Sequence, residues 1–564
     1  MIPDSRYMLK LLISVSLILT GALFGQAQNQ KKKDADAWKY MHMLSPDEMN
    51  VKVKIDKDYK ATDPPPSPVE SLAEFEPMAG ALIRYPLGIN YFLIKSLAQL
   101  DTVYTIVANE SEEQTARNIY NSSGIDLSHC KFIHAKSDSY WTRDYGPMFT
   151  AGKDLIGITD FTYNRPRPND NTIPQKIAET YGFPYYEMDL VHTGGNYMSD
   201  GYGIAASTQI AYTKNGVSQE DVNKKMKDYL GIHTYHVVQD PNNTGMNHID
   251  CWGKFLDVDK ILIRSVPQSH HQYDEIEATA DYFKNQKSSR GNNYQVFRVY
   301  TPNNEPYTNS FILNKRVFVP IMNSQWDNDA LQVYKDAMPG YEISGYEEGS
   351  WGSDDALHCR VHEMADKQMV RIKHIPIRGA QGTKSDFTFK AAIKAYSGKP
   401  FKQDSVRVFY KVNFGEWQSK KMLEVSTDTF SVDISALTPN QTIQYYLYAA
   451  DQAGKRANLP LVGAAAPFTF VTSDNYTASE TLDSEPSVNV YPNPANDYLN
   501  ISYKKAFGDN LKIEILNSAG QLIKQESISH TENLRLNIRD LKKGMYILRI
   551  CTPEKSVVSK FVKK

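Results

Sequence analysis

The chain has 564 residues, with 63 Lys+Arg against 65 Asp+Glu for a formal charge of −2, which excludes a whole-chain field that would select nucleic acid or an anionic membrane surface. Hydrophobic residues at 41% and charged residues at 23% exclude global disorder, and the length exceeds what one compact core organises, so several domains are expected. Cys130, Cys251, Cys359 and Cys551 are too few and too scattered for a disulfide framework or a paired-cysteine zinc site, so each is judged alone.

In chain order, residues 1–27 carry Arg6 and Lys10, an apolar run from Leu11 to Phe24, and small residues around Gly25 and Ala27. This is the pattern of a secretory signal, shorter than the roughly 20 apolar residues that span a bilayer, and no later segment offers a comparable run. An exported chain with no integral membrane span is therefore expected. Residues 28–70 are polar, with Lys31-Lys32-Lys33 and a Pro-rich stretch from Asp63 to Pro68, and read as a pro-segment or extended arm.

Residues 71–375 alternate strand-like runs such as Ala81 to Tyr85 with helical periodicity over Tyr91–Leu100, Glu112–Tyr120, Val222–Leu230 and Asp274–Lys287. That pattern is α/β, and with no GxGxxG and no Gly-rich Lys-Ser/Thr loop, nucleotide chemistry has no support. Residues 376–475 read as period-2 strands, Asp386–Ile393, Ser405–Val412, Thr429–Ile434 and Thr442–Ala450, at the spacing of an immunoglobulin-like β-sandwich. After a linker at 476–487, residues 488–564 read as a small C-terminal β-sandwich: Val488–Tyr491, Leu499–Tyr503, Leu511–Leu516 and Gly544–Ile550, with a turn at Ser518-Ala519-Gly520. Its Tyr491-Pro492-Asn493-Pro494 opening, Lys543-Gly544-Met545-Tyr546 segment and Lys-rich end resemble the C-terminal sorting domain of type IX secretion substrates. The resemblance implies the type IX secretion machinery as a partner, and a secreted or outer-membrane surface-attached location.

Five segments of the α/β region concentrate groups suited to a guanidinium: Trp141–Pro147, Asn164–Pro168, Asn247–Trp252, Thr308–Ser310 and Asp355–Arg360. A planar cation is held best by two carboxylates, for which Asp144 and Asp250 are the natural pair. Cys359 is the available nucleophile, with nearby positive charge from substrate and imidazolium lowering its pKa. Bland alternatives stand beside these readings. Asp144 could pair locally with Arg143, and Cys359 could be a packed apolar residue. His248 and Asp250, two apart on a strand, could be a metal or hydrogen-bonded pair, with Cys251 on the opposite face. No third ligand is spaced for a metal, and His233/His236 and His270/His271 read as ordinary surface or core histidines.

These segments, with Glu76–Gly80, Arg84-Tyr85-Pro86 and Gly194-Gly195-Asn196, resemble the secreted bacterial peptidylarginine deiminases of the guanidine-modifying superfamily. The resemblance implies a five-module α/β propeller (pentein) catalytic domain and hydrolysis of peptide arginine to citrulline and ammonia without metal or organic cofactor. It implies attack by Cys359, a covalent thiouronium intermediate, His248 as acid and then base, and Asn309 orienting the thiolate or binding the adduct through its amide. It further implies that Arg165 and Arg167 grip the α-carboxylate of a C-terminal arginine while Trp141 walls its methylene stem, so that the partners are peptides or proteins with arginine, chiefly C-terminal. One departure stands out: where the family is expected to carry a tyrosine shortly before the catalytic histidine, this chain has Asn243-Thr244-Gly245-Met246-Asn247. A free-arginine or agmatine deiminase, a secreted cysteine protease using Cys359, His248 and Asn309, and a surface adhesin are the competing readings.

Overall fold

The periodic helical stretches fold as helices at Tyr91–Leu97, Glu110–Ser122, Gln219–Leu230 and Tyr273–Lys284. Their ends follow local chemistry. Asn109 accepts from Glu112 N at 3.1 Å ahead of a first turn rich in glutamate, satisfying an orphan N–H and complementing the helix dipole. The Gln219–Leu230 helix starts at the Ser218 cap and stops at Gly231, φ 69°. A Cβ at Gly231 would meet the Val69 carbonyl at 2.0 Å, so both the left-handed backbone and the close approach require glycine.

The computed structural model describes residues 42, 44–45, 48–53, 55, 61–382, 386–413, 415–435, 437–473, 488–491, 495–503, 510–517, 522–529, 533–551 and 556–564. The expected signal at 1–27, Lys31–Lys33, the 476–487 linker, Pro492–Pro494 and the Ser518–Gly520 turn lie outside them. Two units divide the chain, Met1–Tyr476 and Thr477–Lys564, and no described helix is long and apolar enough to cross a membrane.

Between Glu70 and Ala365 the strands form five separate sheets of three or four strands rather than one doubly wound sheet. Three share one plan: an antiparallel pair, a helix, then a strand parallel to the second of the pair. Gly253–Asp257, Lys260–Ser265 and Gln295–Tyr300 follow it, as do Phe311–Leu313, Arg316–Ile321 and Glu342–Glu347, and Met198–Ser199, Ile204–Thr208 and Thr234–Val238. In another sheet Met148–Ala151, Ile156–Tyr163 and Tyr185–His192 repeat the plan, with Glu70–Ser71 added at the edge. In the fifth, the first strand comes from the far end of the region: His362–Ala365 pairs antiparallel with Met78–Arg84, which lies parallel to Thr102–Val107. The central strands are buried along nearly their whole length, as in Lys260–Ser265 and Arg316–Ile321, so they read as apolar runs rather than alternating ones.

Each plan begins with a short turn directly before its first strand: Thr142–Tyr145, Gly194–Asn196, Ile249–Cys251, Thr308–Ser310 and His358–Arg360. The repeat therefore supplies the return of distant segments that the sequence motifs demand.

From Val370 onward the first unit is β-rich. Val370–Lys373, expected within the catalytic region, instead pairs with Asp386–Ala395. That strand alternates exposed and buried residues, and its sheet shares a core with the Thr442–Ala450 sheet through Phe387, Phe389, Ile443, Tyr445 and Phe470. Among its described residues the second unit holds two antiparallel sheets, one built on Tyr498–Tyr503 and one on Asn510–Asn517 and Gly544–Cys551, with Leu499, Ile515, Leu548 and Phe561 in a common core.

Candidate active site

Trp141 leads into a single helical turn, Thr142–Tyr145, whose four residues are all buried. Arg143 turns away and pairs with Glu363 at 2.7 Å, so the local Arg143–Asp144 pair does not form and Asp144 is left to the site. Asp144 is fully buried; its Oδ2 accepts from Tyr163 Oη at 3.2 Å, and its Oδ1 has no hydrogen-bond partner among the described residues. Gly195 permits this crowding: a Cβ there would sit 2.6 Å from both Asp144 Oδ1 and His248 Nδ1.

His248 and Asp250 do not lie on a strand as expected. Ile249–Cys251 is a 3-10 turn capped by His248, and its roughly 120° rotation per residue replaces the alternation of a strand. Cys251 accordingly faces the carboxylate, its Sγ 3.7 Å from Asp250 Oδ1, instead of the opposite side. His248 Nδ1 stands 3.5 Å from Asp144 Oδ1, and neither ring nitrogen has a hydrogen-bond partner among the described residues. Asp250 Oδ2 accepts from His358 Nδ1 at 2.8 Å and lies 3.7 Å from Cys359 Sγ.

Cys359 is buried in the His358–Arg360 turn. Asn309 Nδ2 donates to its sulfur at 3.3 Å, while Asn309 Oδ1 accepts from Cys359 N at 3.3 Å. Burial, then the charges of Asp250, Asp355 and Asp144, push the thiol well above its ordinary value. Burial pushes His248 down to about 4 against the upward pull of Asp144 and Asp250. Both shifts favour a neutral thiol beside a neutral imidazole while no substrate is bound, whereas the lowering of the thiol expected from the sequence needs the positive charge of substrate and imidazolium. Burial pushes Asp144 up, but the charge and hydrogen bond of His42 outweigh it and hold the carboxyl well below the usual carboxylate range.

A supporting layer was not visible in the motifs. His358 Nε2 contacts Glu74 Oε2 at 3.0 Å, and Glu74 in turn pairs with Lys254 at 2.6 Å, fixing the orientation of Asp250 from behind. Arg360 grips Asp355 through Nε at 3.0 Å and Nη2 at 2.9 Å. Asp355 and His358 stand beside Cys359 in sequence, but nothing local marks Glu74.

The three residues expected to recognise the rest of the substrate gather on one side. Trp141 is buried, and the Arg167 guanidinium lies 4.8 Å from its ring centroid. Arg167 Nε donates to Glu48 Oε1 at 3.0 Å, a partner that the sequence reading did not anticipate. Arg165 Nη2 points at Met246 Sδ, 3.3 Å away, and its Nε has no hydrogen-bond partner among the described residues. A Cβ at Gly245 would meet nothing within 4 Å, so the aromatic expected there is missing from open space rather than excluded by packing. His42, from the polar arm, is also in the site: its Nε2 lies 2.5 Å from Asp144 Oδ2 and its ring stacks on Trp141 with centroids 4.6 Å apart.

Among the described residues, potential ligand atoms lie within 4.8 Å of one another in two groups, His42–Asp144–His248 and His42–Asp355–Cys359. Both need His42, whose Asp144-facing nitrogen is already hydrogen-bonded. Elsewhere His236 bonds Tyr282 Oη at 2.9 Å and His270 stacks on His271, both ordinary packing roles.

Residues 90–363 match the family model of Porphyromonas-type peptidyl-arginine deiminases, and residues 489–564 match that of the secretion-system C-terminal sorting domain. A candidate agmatine deiminase of Mycoplasma capricolum is 21% identical over 295 residues, 44% of this chain and 78% of its own. One of Vibrio parahaemolyticus is 21% identical over 324 residues, 48% of this chain and 89% of its own. Among solved structures, a candidate arginine deiminase from Porphyromonas gingivalis aligns with TM-score 0.48 and 18% identity, covering 53% of this chain and 99% of its own. The agmatine deiminase of Enterococcus faecalis aligns with TM-score 0.48 and 18% identity, covering 53% and 96%.

Proposed function

We propose that this chain, which carries a Porphyromonas-type peptidyl-arginine deiminase domain and a type IX sorting domain, hydrolyses the guanidinium of C-terminal arginine in peptides to give citrulline and ammonia. The deiminase domain makes it a hydrolase of carbon–nitrogen bonds, and the sorting domain marks it for export and surface attachment or secretion. We read the five repeated sheets as the blades of an α/β propeller, followed by an immunoglobulin-like sandwich and a small β-sandwich.

One observation carries the reading: Asp144 Oδ1 and both ring nitrogens of His248 are buried without hydrogen-bond partners among the described residues, next to a thiol that is held by Asn309. Unsatisfied buried polar atoms are costly, and here they match a ligand with N–H donors and a leaving nitrogen. A guanidinium between Asp144 and Asp250 offsets the carboxylate charges that hold Cys359 protonated. The thiol proton then passes to neutral His248 as sulfur bonds to the guanidinium carbon. Protonated His248 returns that proton to the departing nitrogen, the C–N bond breaks, and ammonia leaves a thiouronium on Cys359. His248 next takes a proton from water as its oxygen bonds to the same carbon, then gives it to sulfur as the C–S bond breaks, while the hydroxyl proton is lost to solvent, where it converts ammonia to ammonium; the ureido product leaves and the thiol and neutral His248 are regenerated.

The relatives named as agmatine deiminases raise the alternative substrate. Agmatine ends in an ammonium, which Arg165 and Arg167 repel, whereas a terminal carboxylate pairs with them. Rates of ammonia release from a peptide ending in arginine, the same peptide amidated, free arginine and agmatine test the choice. The free-carboxylate peptide is expected to have the highest kcat/KM; agmatine leading the series rejects the reading.

A further inference from the structure

We propose that the N-terminal arm is a built-in pseudosubstrate, with His42 occupying the guanidinium slot and Glu48 the carboxylate clamp, so that the enzyme is self-inhibited until the arm is displaced. The inference rests on the substrate reading above, since it identifies what the arm imitates.

His42 is only 3% exposed. Its Nε2 is 2.5 Å from Asp144 Oδ2 and its Nδ1 is 3.3 Å from the Asp354 carbonyl. Both partners are acceptors, so both ring nitrogens donate, and only an imidazolium has two N–H donors. That cation stacks on Trp141 at an interplanar angle of 11° and meets His248 edge-on with centroids 5.6 Å apart. Its ligand nitrogen lies within 4.8 Å of Cys359 Sγ. An imidazolium is the side chain nearest in chemistry to a guanidinium: planar, cationic, with an N–C–N unit. Its nitrogens belong to a ring, so none can leave as ammonia, and the arm blocks the site without being consumed.

Glu48 supplies the anion. Its Oε1 accepts from Arg167 Nε at 3.0 Å and its Oε2 lies 3.4 Å from Arg167 Nη2, the two-point grip that a terminal carboxylate would take. The arm is shaped to present it: Ser45 Oγ accepts from Glu48 N at 3.1 Å while Glu48 Oε2 accepts from Ser45 N at 2.7 Å, a reciprocal capping box ahead of the Glu48–Asn50 turn. Two charges of opposite sign thus meet the two recognition elements of one substrate, and both lie outside the matched family region of 90–363.

The test uses the full chain and its His42→Ala, Glu48→Ala and double variants, with two readouts. Labelling of Cys359 by 2-chloroacetamidine, whose amidinium supplies the positive charge that the thiol needs, followed by peptide mass mapping, reports access without needing turnover. kcat/KM on a peptide ending in arginine reports the substrate site. If the arm is docked in about 90–99% of molecules, its release raises both by about 10- to 100-fold, and a synthetic peptide of residues 40–50 added to the double variant inhibits it competitively. The rise in labelling must be confined to Cys359; an equal rise at buried Cys130 and Cys251 reports unfolding and overturns the proposal. Unchanged labelling and turnover in all three variants also overturn it. Faster labelling of Cys359 with no turnover by any variant keeps the arm in the site and rejects the deiminase reading instead.

Discussion

Cys359 and His248 rest as a neutral pair because burial dominates both, with carboxylates pushing the thiol further up. On the proposed reading the substrate's own positive charge completes the nucleophile, which ties chemistry to binding of a cation. Replacing Cys359 with Ala is expected to cut turnover by at least about 10⁴-fold while leaving the thermal unfolding midpoint unchanged; substantial residual citrulline would remove it as nucleophile. Arg165→Ala removes a charged contact worth about 1.5–3 kcal/mol, so kcat/KM should fall about 10- to 100-fold on free-carboxylate peptides and little on amidated ones. Equal losses on both would reject the clamp. Arg167 is a less direct probe, because its removal also unhooks Glu48. The arm has a pH signature: burial lowers His42, but the charge and hydrogen bond of Asp144 and the charge of Asp355 hold it above its usual 6.5, against Arg165, with His248 and the Asp354 carbonyl completing its surroundings. A raised folded value means that docking is fully favourable below about pH 6.5 and weakens as pH climbs through the raised value. The ratio of Cys359 labelling in His42→Ala to that in the unaltered chain should therefore shrink as pH rises from 6; a constant ratio would contradict the imidazolium.

Short turns do the positioning. Asp144, His248, Asp250, Asn309 and Cys359 each lie in or beside a turn that precedes the first strand of a repeat, so the sheets hold the side chains that the turns aim. Gly195→Ala tests this scale: its Cβ would meet Asp144 and His248 at 2.6 Å, and a displacement near 1 Å costs about 10²-fold in rate. The expected outcome is a large fall in kcat with an unchanged far-UV spectrum; full activity would show that the turns can yield. At this scale the sequence was readable where chemistry is local. The helices at Glu110–Ser122 and Gln219–Leu230 were legible as periodic stretches, though their first turns at the Asn109 and Ser218 caps were not, and strands such as Thr442–Ala450 were legible from alternation. The Ile249–Cys251 turn was not readable, because three residues carry no period. His42 and Glu48 were missed because their partners are 102 and 119 positions away; the Ser45–Glu48 capping box is a local trace of order among the described residues of the arm.

Across the first unit, Arg371 holds the β-rich module to the deiminase region: it pairs with Glu70 and Glu76 at 2.6 Å and donates to the Gly201 carbonyl at 2.7 Å. Arg371→Ala strands two partly buried carboxylates, and breaking such a network costs about 3–5 kcal/mol. The thermal midpoint should drop by several degrees, and an unchanged midpoint would make the contact incidental. The passage from an α/β pattern to period-2 strands was legible from periodicity, whereas a division of the α/β strands into five modules was implied only by the family resemblance, since buried parallel strands look alike in sequence whichever sheet they join. The central claim is most directly tested by incubating the full chain with a peptide ending in arginine in ¹⁸O-labelled water, alongside its Cys359→Ala variant. The account predicts an intact peptide in which one guanidinium nitrogen has been replaced by labelled oxygen, with equimolar ammonia and no product from the variant; a shortened peptide, or product formed without Cys359, would contradict it.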